Sequence, residues 1–453
     1  MDMRDLTKSA LSLPWAISMF GVQQATNLMA PPSTKVLSGA ASAFDAVSNA
    51  AEQQLDGWMK QTYKVGTGMQ DAVVDLMMLR TPDVDTSMLM RMASEMQSGP
   101  LFQVMVKYAM PPVGWFDSFL VPRRDSGAVQ REFANKLYII QLVTQVNSTL
   151  GLDKAAGEAL PALVDRSATM ATFPRLWATE GLGDYWADRA WERTGGIDPA
   201  GLLTDMSAAS LPPWSLTMLH AGIGMSFAKK VLAGLEPSSP AEVVRSAILR
   251  FINLCRNSSR PGYTGAALES LGLATRTLYP NLVSVLDREI PAVDSNLQSF
   301  FWHGAGRAMY FDPMNMLPSL NAPWRAIRRL ASEAPHALAH SNALSGIAWA
   351  ITVVNMRQPI VMEAFLRHHA DLARADDAFT NGVTSSLMMR YDTTRDDARI
   401  APFIHNRPSE ADIASSWRSL ITAPCEQALR VTYGDLSQNG KLEELFHYRP
   451  PSA

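Results

Sequence analysis

Five predicted helices from residue 222 onwards each carry a glycine close to an apolar face, and this recurrence limits how the chain can fold. A glycine in a helix interior costs up to about 1 kcal/mol relative to alanine, so a recurring one needs a structural reason. The simplest reason is close approach of neighbouring helices, and chance similarity among Ala- and Gly-rich helices is the alternative. The five positions are Gly222, Gly272, Gly304, Gly346 and Gly382.

The spacing of these glycines indicates how the helices are arranged. Successive glycines are 50, 32, 42 and 36 residues apart, which is about the length of a helical pair. The spacing therefore predicts stacked helical hairpins, and its irregularity argues against a strict solenoid. Strand-like runs of Val, Ile, Thr and Tyr between turns are essentially absent. We therefore predict an all-α fold with a large multi-helix body.

The N-terminal quarter of the chain has a different character. Residues 34–62 are Ala-rich and place apolar side chains mostly three and four positions apart, which predicts one apolar stripe on a helix. Residues 9–30 carry no charge, yet they are too polar to span a membrane; they are either an interfacial helix or a first helix packed on the protein. Segment 5–62 is thus a candidate peripheral contact with a membrane or granule. We predict an N-terminal amphipathic helical region, 1–120, and a main helical domain, 121–453, that holds the Gly-marked helices.

Composition excludes several classes of protein. The 453 residues include 40 Lys and Arg against 43 Asp and Glu, so the net charge of −3 leaves no basic surplus for nucleic acid. Two cysteines exclude a disulfide scaffold and indicate a reducing compartment, which predicts a cytoplasmic protein, peripheral to a lipid-like surface if the N-terminal region binds one. The 25 methionines suit irregular cores or adaptable apolar surfaces, because their side chains are flexible and polarisable.

Two stretches resemble known families. Residues Phe301–Phe311, FWHGAGRAMYF, resemble the Gly-x-Gly-Arg-x-x-x-Phe helix of an uncharacterised all-helical family of enediyne-type polyketide gene clusters. Residues 341–354 are similar to that family's second Gly-rich helix, and the resemblance covers about 220–355. It implies an accessory role in lipid-like or polyketide metabolism, without an established activity. By composition alone, residues 10–80 resemble the Ala- and Gln-rich amphipathic helices of phasins, which coat polyester granules.

His303 and Arg307 form the first candidate site. They lie one turn apart on a Gly-rich helix, and Asp312 follows. A titratable ring and a cation on an otherwise apolar helix must be solvated or paired. The functional interpretation is that they hold a carboxylate or phosphate beside Gly304 and Gly306, with His303 as acid or base. The structural alternative is a satisfied core histidine and an Arg307–Asp312 ion pair.

Asp184, Asp188 and Glu192 form the second candidate site, a ligand-binding one. Their spacing of four residues places them on one face of a helix, where acidic groups can bind a metal or a metal–diphosphate. The alternative is an acidic, solvated face, because Arg189 and Arg193 lie within reach for ordinary ion pairs.

Motifs for metals and cofactors are weak. The pair Asp376–Asp377 begins a loose match to a metal motif of helical terpene cyclases but lacks its glutamate, so Asp376 and Asp397 are interpreted as charges at helix starts. Glu-x-x-His spacings, as in helical di-iron sites, occur at 333–336, where a proline intervenes, and at 444–447, close to the C-terminus. The sequence therefore predicts no metal and no cofactor.

Three classes of function fit these features. The leading one is an accessory or binding protein for hydrophobic molecules or surfaces in a lipid, polyester or polyketide pathway. Its partner would be a hydrophobic small molecule or a lipid surface. The alternative is an enzyme with an apolar helical cavity, acting on a lipid-like or isoprenoid substrate, which requires that His303, Arg307 or Asp312 reach that cavity. A structural scaffold of stacked helices is the third.

Overall fold

The computed structural model describes residues 125–450, apart from 153–156, 207 and 313–321. The described part is 76% helical and contains no strand, which confirms the all-α prediction. The predicted amphipathic region, 1–120, lies outside the described residues.

The helices are numbered here in chain order. Up to residue 278 they are α1 (Ser126–Thr144), α2 (Val146–Leu150), α3 (Leu160–Ala168), α4 (Thr172–Arg193), α5 (Pro213–Leu232), α6 (Ala241–Ser258), α7 (Thr264–Leu268) and α8 (Ser270–Leu278). After a 3-10 turn at Pro280–Leu282 come α9 (Val283–Val293), α10 (Leu297–Phe311), α11 (Ala322–Glu333), α12 (Ala337–Asn355), α13 (Pro359–Ala375), α14 (Ala378–Thr393) and α15 (Ile400–Ile404).

The C-terminal part begins with one long helical stretch. It consists of α16 (Ala411–Trp417), α17 (Ala423–Gln427) and α18 (Tyr433–Gln438), joined by π-helical segments at Arg418–Thr422 and Ala428–Thr432. A 3-10 helix at Leu442–Phe446 follows and packs against α7 and α14. The C-terminal segment therefore packs back onto helices that come earlier in the chain.

The helices with the most extensive mutual packing follow one another in chain order. Helix α4 packs on α5, α5 on α7 and α8, α8 on α10, α10 on α12, and α12 on α14. The intervening helices α9, α11 and α13 each contact the two helices that flank them in the chain. Each member from α8 to α12 thus forms a pair with the helix after it, which agrees with the predicted stacked helical hairpins.

Each of the five recurring glycines lies where the backbone of a neighbouring helix comes into contact. A Cβ atom added at any of them would overlap a backbone carbonyl oxygen of that neighbour, and a larger side chain would force the helices apart. The prediction that these glycines allow close helix packing is confirmed. The oxygens belong to Glu180 (at Gly222), Phe301 (at Gly272), Glu269 (at Gly304), His303 (at Gly346) and Ser345 (at Gly382).

Helix α12 occupies the centre of this packing. Among the described residues it is the one helix long and apolar enough to cross a membrane, but 78% of its apolar window is buried inside the fold. It lies between α10 and α14, and the side chain of Trp349 at its middle is fully buried. Its composition is that of a core helix in the folded body.

Candidate functional site

The side chains of His303 and Arg307, one turn apart on α10, both meet the carboxylate of Glu269. Nδ1 of His303 lies 2.5 Å from Oε1 of Glu269, and Nη1 of Arg307 donates to Oε2. The exposed fractions of the three side chains are 0% for His303, 3% for Arg307 and 0% for Glu269. One buried carboxylate therefore orients the imidazole and neutralises the guanidinium. We call these three residues the Glu269 cluster.

Two glycines bring the members of the Glu269 cluster together. Glu269 lies at the junction of α7 and α8. Gly304 lies between His303 and Arg307 in the chain, and its lack of a side chain lets α10 rest against the backbone of Glu269. On α12, Gly346 lies against the backbone of His303 and Arg307. Because the backbones are this close, a glutamate side chain is long enough to reach both partners.

Arg307 also contacts two further helices. Its Nη2 lies 3.6 Å from Oε1 of Glu180 on α4, and its Cζ lies 4.3 Å from the ring centre of Trp349 on α12. A planar guanidinium over an indole ring is a favourable cation–π arrangement. Arg307 therefore links α4, α10, α12 and the junction of α7 and α8.

The pKa values of these groups reflect two opposing effects. Burial disfavours the charged form of each group, and pairing with an opposite charge favours it. Burial raises the pKa of Glu180, and Arg307 offsets only part of that effect. Burial also acts to raise the pKa of Glu269, but Arg307 and His303 outweigh it, so that pKa is lowered. Burial lowers the pKa of His303 in spite of the opposing carboxylate of Glu269. At neutral pH the Glu269 cluster thus contains an ionised glutamate, a charged arginine and a neutral histidine.

The arrangement of His303 is that of an oriented base in the protein interior. A neutral imidazole that donates from Nδ1 to Glu269 carries its lone pair on Nε2. That nitrogen is buried and has no hydrogen-bond partner in the described part of the chain. The ring of Trp349 lies edge-on to the imidazole, with 6.5 Å between ring centres. Chemically, Nε2 could accept a proton from any group that reached it.

Asp312 does not pair with Arg307, contrary to the structural alternative predicted from the sequence. It pairs instead with Arg276 of α8, at 2.9 Å, and Arg276 also binds Glu333 of α11, with 2.6 Å from Nε to Oε2. A residue five positions beyond Arg307 lies on a different side of the helix, and Glu269 already occupies the guanidinium. Asp312 therefore belongs to a separate ion-pair network.

The acidic face of α4 is held by a lysine from the next helix. Nζ of Lys229 on α5 lies 2.8 Å from Oδ1 of Asp184 and 3.6 Å from Oδ2 of Asp188. Glu192 is exposed and pairs with Arg189 at 2.9 Å. The sequence suggested ion pairs between this face and arginines of α4. Such a pair forms at Glu192, but the cation between the two aspartates is Lys229 of α5.

Gly304 and Gly306, the candidate ligand contacts, both face protein. A Cβ atom at Gly304 would overlap the carbonyl oxygen of Glu269, and one at Gly306 would overlap that of Ala343 on α12. Helix backbones therefore cover both glycines at these contacts, so neither glycine is open to a cavity there.

The structure also accounts for the weaker motifs. Within the described residues, no group of three or more His, Cys, Asp or Glu side chains could hold a metal ion. Oδ1 of Asp376 and Oδ1 of Asp397 each accept a 2.9 Å hydrogen bond from the backbone N–H two residues later, close to the start of a helix. This confirms their interpretation as helix-start residues. Glu444 lies 3.2 Å from His447, and both belong to the C-terminal segment.

Two residues of the site, Glu269 and Glu180, were missed by the sequence analysis. Glu269 is the one acidic residue in the apolar run 264–275, and a buried acid requires a partner. That signal could have marked it as the partner of a buried cation. Glu180 precedes Asp184 by one helical turn, and only tertiary packing turns it towards Arg307.

No protein-family model matches the chain, and no curated protein or solved structure matches it significantly. The resemblances to the enediyne-cluster family and to phasins therefore stay predictions. Function has to be inferred from the chain's own side chains and helices.

Proposed function

We propose that the chain is an accessory protein that binds hydrophobic molecules or surfaces in a lipid, polyester or polyketide pathway. The contact is made by the amphipathic segment 5–62. The observation that carries this proposal is that Glu269, His303 and Arg307 bind one another in the interior of the body. Side chains that pair with one another in a core orient and neutralise one another before they serve a ligand.

The sequence of the N-terminal region supplies the binding surface. Its apolar side chains recur at helical spacing along 34–62, and Phe44 and Val47 lie on that stripe. Amphipathic helices bind interfaces in proportion to the apolar area that they bury. Such a helix requires neither a catalytic group nor a metal.

Flotation with phosphatidylcholine vesicles tests the proposal. Neutral vesicles are chosen so that net charge does not contribute to binding. We expect the full chain to float with the vesicles and the double variant Phe44→Asp/Val47→Asp to lose most of that recovery. Each aspartate would place a charge on the apolar face, which the interface disfavours.

A matched control is offered by the opposite face of the same predicted helix. Ser42→Asp/Asn49→Asp adds the same two charges outside the apolar stripe. We expect this control to float like the unmodified chain. If the unmodified chain stays with the soluble fraction, or if both double variants float equally, the surface-binding proposal is wrong.

One observation favours the alternative, an enzyme with an apolar cavity for a lipid-like or isoprenoid substrate. Glu269 orients His303 so that the unpartnered Nε2 could act as a base, as described above. The enzyme hypothesis requires that a substrate reach this nitrogen.

Chemical modification decides whether His303 is accessible. Diethyl pyrocarbonate reacts with neutral imidazoles that solvent can reach, and His405, with 58% of its side chain exposed, is the internal control. The accessory-protein proposal predicts modification of His405 and none of His303. Equal modification of both residues, together with a lipid-like molecule that co-purifies in native mass spectrometry, would favour the enzyme.

A further inference from the structure

The chain contains two Asn–Gly dipeptides, Asn381–Gly382 and Asn439–Gly440, and the structure places them in opposite environments. Asparagine is one of the thermolabile residues. It reacts fastest before glycine, because glycine has no side chain to shield the backbone nitrogen that attacks the asparagine carboxamide. Both pairs have the same chemistry, so a difference in their reactivity reports on the structure around them.

Asn439 and Gly440 form an exposed turn directly after α18. Both residues are exposed, and a Cβ atom added to Gly440 would meet nothing within 4 Å. Gly440 has a φ of +60°, and its N–H donates to the carbonyl oxygen of Ser437 at 3.4 Å, which is a long hydrogen bond. The side chain of Asn439 donates to the carbonyl oxygen of Asp435, one turn earlier, at 2.8 Å. Helix ends fray, so the backbone rotates more readily here than inside a helix.

Asn381 and Gly382 lie inside α14, where the backbone is fixed. Oδ1 of Asn381 accepts a 2.9 Å hydrogen bond from the hydroxyl of Ser345 on α12. Gly382 is buried and lies so close to α12 that a Cβ atom there would overlap the carbonyl oxygen of Ser345. Its backbone nitrogen donates along the helix axis, as in any α-helix interior. To attack the carboxamide this nitrogen would have to turn, which requires that α14 open first.

We propose that Asn439 is a site of spontaneous deamidation and that its isoaspartyl product loosens the C-terminal segment, residues 441–448. The backbone nitrogen of Gly440 loses its proton to solvent and forms a bond to Cγ of Asn439. The side-chain nitrogen leaves as ammonia, and a five-membered succinimide remains. Water then opens this ring at either carbonyl. The product is an aspartate, or an isoaspartate in which the main chain passes through Cβ, and each adds one negative charge.

The C-terminal segment begins directly after this turn and depends on its backbone geometry. The carbonyl oxygen of Gly440 lies so close to Gly262 that a Cβ atom at position 262 would overlap it. Further along the segment, the side chains of Leu445 and Phe446 are buried. An isoaspartate lengthens the main chain by one atom just before Gly440, and the contact with Gly262 has no space for the shift. The segment therefore has to move away from the helices that it covers.

Incubation of the folded full chain at mildly alkaline pH, followed by mass spectrometry of its peptides, tests the site. The readout is the mass change when –NH2 is replaced by –OH. We expect about tenfold or more product at Asn439 than at Asn381, because α14 has to open before Asn381 can react. The matched control is the same chain unfolded in guanidinium chloride, in which both dipeptides should react at similar rates. Equal reaction of the two in the folded chain, or no product at Asn439, overturns the proposal.

Hydrogen–deuterium exchange before and after the incubation tests the effect on the C-terminal segment. We expect faster exchange in peptides from 441–448 once Asn439 has reacted. Asn439→Gln is the control, because a glutamine would need a six-membered ring and reacts far more slowly. It should keep the exchange pattern of the fresh chain. Unchanged exchange in the deamidated chain, or the same increase in Asn439→Gln, would overturn the loosening of the segment. Neither result depends on whether segment 5–62 binds vesicles.

Discussion

The backbone of Gly304 lies directly against the carbonyl oxygen of Glu269, so closely that a Cβ atom at position 304 would overlap that oxygen. Because of this contact, the side chain of Glu269 reaches His303 and Arg307, which lie on either side of Gly304 along α10. Gly304, a small residue in an apolar helix, is thus the reason that a buried ion pair can form. Helix packing and the charge network of the core depend on each other here.

Gly304→Ala should lower the free energy of unfolding by about 1–3 kcal/mol or more, because the added methyl group must push α10 away from the junction of α7 and α8. The effect is measured by urea denaturation followed by the helical circular dichroism signal. Gly434→Ala on α18 is the control: a Cβ atom there meets nothing within 4 Å. It should be neutral or slightly stabilising, since alanine favours helix over glycine. Equal destabilisation by both variants would contradict the close-contact account.

Glu269→Gln should cost about 3–5 kcal/mol, because it leaves the buried Arg307 without its principal negative charge. Glu192→Gln on α4 removes the same charge from an exposed ion pair and should change stability by less than about 1 kcal/mol. Denaturation midpoints of the two variants, compared with the unmodified chain, check the difference. A small effect of Glu269→Gln would mean that Glu180 alone is sufficient to stabilise Arg307.

His220 should make the protein less stable as the pH falls from about 6.5 to about 4. Its Nδ1 lies 2.7 Å from the carbonyl oxygen of Leu216, and its Nε2 accepts a 3.0 Å hydrogen bond from the backbone of Arg260. Burial lowers its pKa from 6.5 to about 4. In this window the unfolded chain binds a proton that the folded chain does not, so stability is lost, by about 3 kcal/mol from this residue.

Thermal midpoints between pH 7 and pH 4 measure this loss. His220→Gln should flatten the dependence of stability on pH, because a group that does not titrate replaces the histidine. His405→Gln, at an exposed histidine, should leave the dependence unchanged. The same slope in all three proteins would show that His220 does not contribute to it.

Local pattern was enough to predict the helices and the reason for their glycines. A glycine inside an apolar helix has a cost that only a neighbouring backbone explains, so Gly272 and Gly346 were informative without any tertiary knowledge. The helix-start role of Asp376 was also predictable from local pattern, because its hydrogen bond is made within the next two residues.

The partners of the buried charges could not be predicted in this way. Arg307 meets Glu269 and Glu180, which lie 38 and 127 residues away in the chain, and local spacing carries no information on such pairs. Proximity in sequence suggested Asp312 instead, whose partner is Arg276. Lys229 likewise binds Asp184 from another helix, whereas local spacing indicates only cations on α4.

Hydrogen–deuterium exchange of the full chain, with and without phosphatidylcholine vesicles, tests the central claim most directly. In the proposed function the amphipathic segment makes the contact while the Gly-marked helices remain a closed core. We therefore expect vesicles to slow exchange in peptides from 5–62 and to leave Leu297–Phe311 and Ala337–Asn355 unchanged. Altered exchange in those two helices, with none in 5–62, would contradict the account and place the hydrophobic ligand inside the helical body.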